Sequence, residues 1–209
     1  MSAVSEWIVR EYFESFGFFV NQPRKFTVPG RSKRAAEEVD LLVVNPRVGS
    51  HSVPSSMVWT GADLKGVARA IVGIRGWHSE RFYASTFEQT PEILRFAEDA
   101  CIRYAAGLLG SEAMARILCL PRLPASGELK EKTILFLKSR GIDGVISFRT
   151  ILAELAQGVE TKKHYEKSDL LQIIRLLKNY DFLKDSQLEL FTRKRRRRKS
   201  RKADSKLRN

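Results

Sequence analysis

Glu37-Glu38-Val39-Asp40-Leu41-Leu42-Val43-Val44 is the stretch on which the reading of this chain turns. Five of the six residues from 39 to 44 are β-branched or Leu, and Asn45-Pro46 closes the run, so residues 39–44 are expected to form a strand. Asp40 conflicts with these neighbours. Acidic residues are depleted in strands, and an unpaired buried carboxylate is costly. Two readings stand side by side: a solvated strand-end Asp that caps a turn, or a metal ligand, for which a carboxylate projecting from a rigid strand is well suited. On a strand, Glu38 two residues earlier points to the same face. Glu6, on the first helix, is expected at the same end of the sheet.

Outward from this strand the chain alternates in period. Val4, Ile8, Tyr12 and Phe16 recur every four residues, which predicts a helix that stops at Gly17. Phe18-Phe19-Val20 suits a strand, and residues 24–34 a basic turn. A Ser-, Gly- and Pro-rich loop over 46–56 leads towards a strand at 70–74 that ends in Arg75-Gly76. Thr90-Pro91-Glu92 combines a cap, a first-position Pro and an early acid, so a helix is expected from there to about 109, with Leu94, Ala97, Cys101, Tyr104 and Leu108 inward. A strand at 115–120, a helix at 128–140, a strand at 145–148 and helices at 150–156 and 168–181 complete the pattern. This order predicts an α/β chain with a central mixed sheet. Val72-Gly73-Ile74-Arg75-Gly76 has neither the spacing nor the following helix of a dinucleotide fingerprint, which argues against a Rossmann domain.

Composition narrows the class. Of 209 residues, 43% are hydrophobic, too many for a wholly disordered chain. No run approaches the 18 apolar residues of a membrane span, and residues 1–10 contain Glu6 and Trp7 where a secretory signal needs a continuous apolar core. Cys101 and Cys119 stand alone, without the pairs of a disulfide framework or a zinc site. The expected location is intracellular: cytoplasm or nucleoid, or the nucleus in a eukaryotic cell. The net charge of +13 is unevenly placed. Residues 193–209 hold 11 Lys or Arg against Asp204, whereas residues 1–192 hold 26 Lys+Arg against 23 Asp+Glu. Such a run repels itself, so 193–209 is expected to be a disordered basic tail seeking a polyanion.

Glu6 on the first helix, Gly17-Phe18-Phe19-Val20, Glu38 to Val44 and Ala70-Ile71-Val72-Gly73-Ile74-Arg75-Gly76-Trp77 together resemble the PD-(D/E)XK nuclease superfamily, the restriction-endonuclease-like fold of Holliday-junction resolvases and RecB-type nucleases. The resemblance covers residues 1–158. It implies a restriction-endonuclease-like domain there, which leaves a helical extension over 159–192 and the basic tail from 193 to 209 outside it. It also implies that Asp40 matches the motif's Asp and Glu6 the extra helix-one ligand of one or two Mg²⁺ ions. Gly73 stands where the family has its second acid, and Arg75 where it has Lys. Gly supplies no ligand, and Arg does not readily give up a proton. The implied function is therefore a nucleic-acid-binding pseudonuclease without a cofactor. The alternatives are an active Mg²⁺-dependent endonuclease with a migrated ligand supplied by Glu38, Asp63, His78 or Glu80, and a structural subunit of a nuclease or ribonucleoprotein assembly.

Three further segments bear on binding. Arg75, Trp77, His78 and Arg81, with Phe82 and Tyr83, mix cations and aromatic rings in a way suited to phosphate contact and base stacking. The plainer reading makes Trp77 and Phe82 core residues. Residues 165–183 form a helical face that suits either packing or a winged-helix-like reader with Lys167, Gln172, Arg175 and Lys178 outward. Arg193-Lys194-Arg195-Arg196-Arg197-Arg198-Lys199 reads as non-specific phosphate binding, a nuclear address or a solvated end. The expected partner is nucleic acid, DNA before RNA, and no membrane. A homodimer, or a complex with an active nuclease or another subunit, completes the partner expectations.

Overall fold

A computed structural model describes residues 3–24 and 35–183. Helix α1 (Ala3–Ser15) buries Val9, Tyr12 and Phe13. It ends as expected at Gly17, whose φ of +83° is open to glycine at no steric cost. Then follow β1 (Phe19–Asn21), α2 (Ala35–Glu38), β2 (Leu41–Val44), the 3-10 helix η1 (Gly61–Gly66) and β3 (Arg69–Ile74). The second half comprises α3 (Ala84–Gln89), the 3-10 helix η2 (Pro91–Ala97), α4 (Asp99–Leu109), β4 (Ala115–Leu120), α5 (Gly127–Ser139), β5 (Gly144–Ser147), α6 (Phe148–Gly158) and α7 (Asp169–Asn179).

The five strands form one sheet in the order β1-β2-β3-β4-β5. β1, β2 and β3 pair antiparallel, Leu41 facing Val72; β4 and β5 continue parallel to β3, Val72 facing Ile117 and Cys119 facing Ile146. Parallel neighbours need crossovers, and here these are the α3–η2–α4 and α5 segments. Both crossovers step in one direction along the sheet, so one handedness puts both on one face. The opposite face takes α1, α6 and α7. Leu41, Val43, Val72 and Ile74 pack on this first face with Val9, Tyr12, Phe13, Ile151 and Ile174. Leu42, Ile71 and Leu118 pack on the second with Phe87, Ile93, Phe96, Cys101 and Leu137. The mixed α/β architecture is thus as expected. Val159 and Ile174 belong to the first-face core, so residues 159–183 complete the same hydrophobic layer as the rest.

Three expectations are corrected. Residues 90–109 are not one helix: η2 ends at Ala97, Glu98 is extended (ψ 155°), and α4 starts at Asp99. The break lets η2 lay Ile93 and Phe96 on the sheet independently of Cys101 and Ala105 in α4, and it leaves Leu108 53% exposed. The strand begins at Leu41, not at residue 39, because Ala35-Ala36-Glu37-Glu38 are good helix formers and take a helical turn. Helix α3 lies in a stretch where none was expected. Among the described residues, no helix is long and apolar enough to cross a membrane. The residues 193–199 proposed for phosphate binding lie outside the described residues, as do 25–34 of the basic turn.

Candidate functional site

The three motif positions converge on the second face. Side chains alternate along β3, so Ile71, Gly73 and, just past its end, Arg75 share one side. Asp40 precedes β2 next to the end of β3, and its carboxylate is fully buried. Asp40 Oδ2 accepts from the backbone amide of Ile74 at 2.6 Å and from an Arg75 guanidinium nitrogen at 2.8 Å. Arg75 is 6% exposed; it donates also to the carbonyl of Ile74 at 2.7 Å and to the carbonyl of Ile93 in η2. Its guanidinium carbon lies 5.7 Å from the centre of the Phe96 ring. A Cβ on Gly73 would come within 2.4 Å of that same ring. Glycine is therefore required here by close approach, and the ring of Phe96 fills the space an acid at this position would need.

The chemistry of this arrangement is an internal ion pair. Two charges removed from water persist only when each is compensated by the other and by further hydrogen bonds. The fork of Arg75 does this by meeting Asp40 and two carbonyls at once. Mg²⁺ demands an octahedral shell of oxygens and keeps several waters. A carboxylate with no exposure, bonded to a guanidinium and an amide, does not fit that need. Among the described residues, no group of three or more His, Cys, Asp or Glu is placed to hold a metal.

The other proposed ligands are dispersed. Glu6 is at the expected end of the sheet: its carboxylate accepts from Gln22, which follows Asn21 and so stands beside the start of β2. Its helix, however, covers the first face, whereas Arg75 and Phe96 lie on the second. Glu38 does not share a strand face with Asp40, because it belongs to α2; it meets Arg95 of η2 at 3.5 Å. Asp63 caps η1, accepting from the amide and hydroxyl of Thr60 at 2.8 and 2.9 Å. His78 meets the hydroxyl of Ser5 at 3.1 Å, and Glu80 is exposed on the loop beyond β3. Arg75 is also corrected as a phosphate contact, since its guanidinium is buried and engaged inside the domain.

The loop after Gly76 is the open counterpart of this pair. Trp77 is 44% exposed and stacks on the buried ring of Phe82, with centroids 5.8 Å apart and planes 3° from parallel. Phe82 is thus core and Trp77 surface. His78 sets its ring edge-on to Phe148 at 4.7 Å. Arg81 is exposed and reaches the carbonyl of Leu123 at 3.4 Å. The loop lies at the carboxyl ends of the parallel strands, where ligands bind in open α/β sheets.

Elsewhere the titratable groups serve packing. Burial pushes the Cys101 thiol up to about 11, and that of Cys119 up further, so neither is a ready nucleophile. Burial pushes the His51 imidazole down, and its Nδ1 accepts from the amide of Ala68. On α7 the polar side chains expected to face outward turn to the preceding loop. Arg175 donates to Thr161 and Lys178 to Val159, while Gln172 accepts from Tyr165, which leaves only Lys167 exposed as a reader would need. Sequence reasoning missed Ile93 and Phe96, the two residues of η2 that close the site. No local pattern marks them, because their partners Arg75 and Gly73 lie 18 and 23 residues away. No protein-family model, no curated protein and no solved structure matches this chain.

Proposed function

We propose that the chain is a nucleic-acid-binding protein on a PD-(D/E)XK-like fold whose catalytic position is closed. The observation that carries this reading is the fully buried Asp40 carboxylate paired with Arg75, whose guanidinium lies against the Phe96 ring, where the resemblance would set a metal. A guanidinium there supplies the positive charge without an exchangeable coordination site. The order of helix, three antiparallel strands and helical crossovers to parallel strands supports the likeness. Binding is assigned to the surface of Trp77, His78 and Arg81, with the 11 cations of residues 193–209 adding sequence-independent affinity. DNA, duplex or branched, is the proposed ligand.

The test is one binding-and-cleavage series on the full chain. With Mg²⁺ or Mn²⁺ present, linear and branched DNA stay intact while a complex forms. Trp77→Ala weakens that complex by about 5- to 150-fold, the span of about 1–3 kcal/mol for a lost stacking platform. Deleting residues 193–209 flattens the dependence of log K on log salt by about 0.9 for each phosphate contact removed. Chelator-sensitive cleavage by the wild-type chain sinks the closed-site reading; a complex indifferent to both changes sinks the assigned surface.

A further inference from the structure

Helix α7 carries more apolar surface than the domain covers. Ile174 is 6% exposed, and Leu170 and Leu171 pack at the margin of the first-face core. A second stripe lies beside them: Ile173, Leu176, Leu177 and Tyr180, at spacings of three, four and seven, are 50%, 42%, 38% and 73% exposed. Phe182, 74% exposed, extends it beyond the helix end. The polar side chains Gln172, Arg175 and Lys178 are turned to the loop before the helix. The stripe is therefore not the hydrophilic back of an amphipathic helix.

The helix is capped at the foot of this stripe. Asp181 takes a φ of 59°, and the amides of Phe182 and Leu183 both bond to the carbonyl of Leu177, at 2.8 and 3.1 Å. The sequence then continues Lys184-Asp185-Ser186-Gln187-Leu188-Glu189-Leu190-Phe191-Thr192. Three large apolar residues, Leu188, Leu190 and Phe191, stand immediately before the cationic run that starts at Arg193. The five residues from Leu183 to Leu188 reach up to about 17 Å when extended. From Tyr180 to Ile173 the helix rises only about 10 Å.

We propose that the stripe of Ile173, Leu176, Leu177 and Tyr180 is the docking site for the chain's own segment 188–191. The cationic run then begins at a fixed point on the domain. Tethering favours this occupant, because a short linker raises the effective concentration of the segment to about the millimolar range. A second copy is disfavoured by area: a stable pair needs about 800 Å² from each partner, more than five half-exposed side chains on and beside a short helix supply.

The test is amide hydrogen exchange on the full chain and on the double variant Leu188→Asp with Phe191→Asp, at concentrations where light scattering shows a monomer. Amides 173–180 are expected to exchange about tenfold or more faster in the variant, with β3 and β4 unchanged. From the other side, Ile173→Ser is expected to speed chymotryptic cutting after Leu190 and Phe191 by a similar factor. Equal exchange in both chains overturns the proposal. So does wild-type protection that vanishes on dilution, which assigns the stripe to a second copy, or protection that appears only when another protein is added.

Discussion

A buried polar tie on one face of the sheet differs in kind from one on the other. On the first face Tyr12 of α1 donates to Glu154 of α6 at 2.6 Å, and Glu154 also accepts from the amide of Gly61 at 2.9 Å. This joins two helices and the start of η1 through a neutral donor and a carboxylate that is itself only half-buried. On the second face the tie is an ion pair between Asp40 and Arg75, which η2 closes over. A face built only for cohesion needs no sealed charges, since apolar residues of similar volume do as well or better. On the proposed pseudonuclease reading, this ion pair stands where the resemblance would set a metal.

The sharpest way to break this contrast is Arg75→Ala. Removing the guanidinium takes from the buried Asp40 carboxylate the cation that sits 2.8 Å from it, and a loss of about 3–5 kcal/mol is expected in denaturant unfolding. Replacing both, Asp40→Leu with Arg75→Met, is expected to restore wild-type stability or exceed it, while leaving the proposed DNA binding at Trp77 intact. A double variant as unstable as Arg75→Ala would show that the pair is not the seal described. Next in size is Gly73→Ala, whose added methyl meets the Phe96 ring and is expected to cost about 1–3 kcal/mol by overpacking. A midpoint equal to wild type would mean that η2 does not close over the motif.

The smallest effect belongs to the first face. Tyr12→Phe removes one hydrogen bond but leaves Glu154 its bonds to Gly61, so about 1 kcal/mol is expected at neutral pH. Burial first, and the neighbouring Glu154 second, push the Tyr12 phenol well above its ordinary value. A phenol raised in this way lends stability that is complete below pH about 10, where the unfolded chain still holds its proton. It is lost as the pH rises further, because the unfolded chain then ionises while the folded one does not. Wild type is expected to lose stability above that pH more steeply than Tyr12→Phe; parallel curves would remove the tie.

Much of the fold was legible because its signals are local. The fourfold spacing of Val4, Ile8, Tyr12 and Phe16 and the stop at Gly17 correspond to α1, and residues 115–120 are the strand β4. The break at Glu98 was not legible. Thr90-Pro91-Glu92 is a good helix start whether the helix runs on or ends after two turns, and the tertiary contact of Phe96 with Gly73 in the shorter helix has no local signal. The site divides in the same way. Asp40 was recognisable as a residue at odds with its strand, and Gly73 and Arg75 as departures from a motif. That Arg75 faces inward rather than towards phosphate depends on Asp40, 35 residues earlier in sequence. Glu38 misled because the alternation argument holds only inside a strand, and α2 ends at that residue.

What the sequence determined by itself is the supply of residues and the local periods: apolar runs of strand length, helical stripes, and a charge excess confined to residues 193–209. These follow from backbone geometry and electrostatics that act over a few residues. Only the tertiary structure decided that the one acid inside the apolar run meets an arginine rather than water. Strand pairing brings Asp40 and Arg75 together, and η2 excludes solvent from them. Desolvation then leaves two opposite charges no better partner than each other.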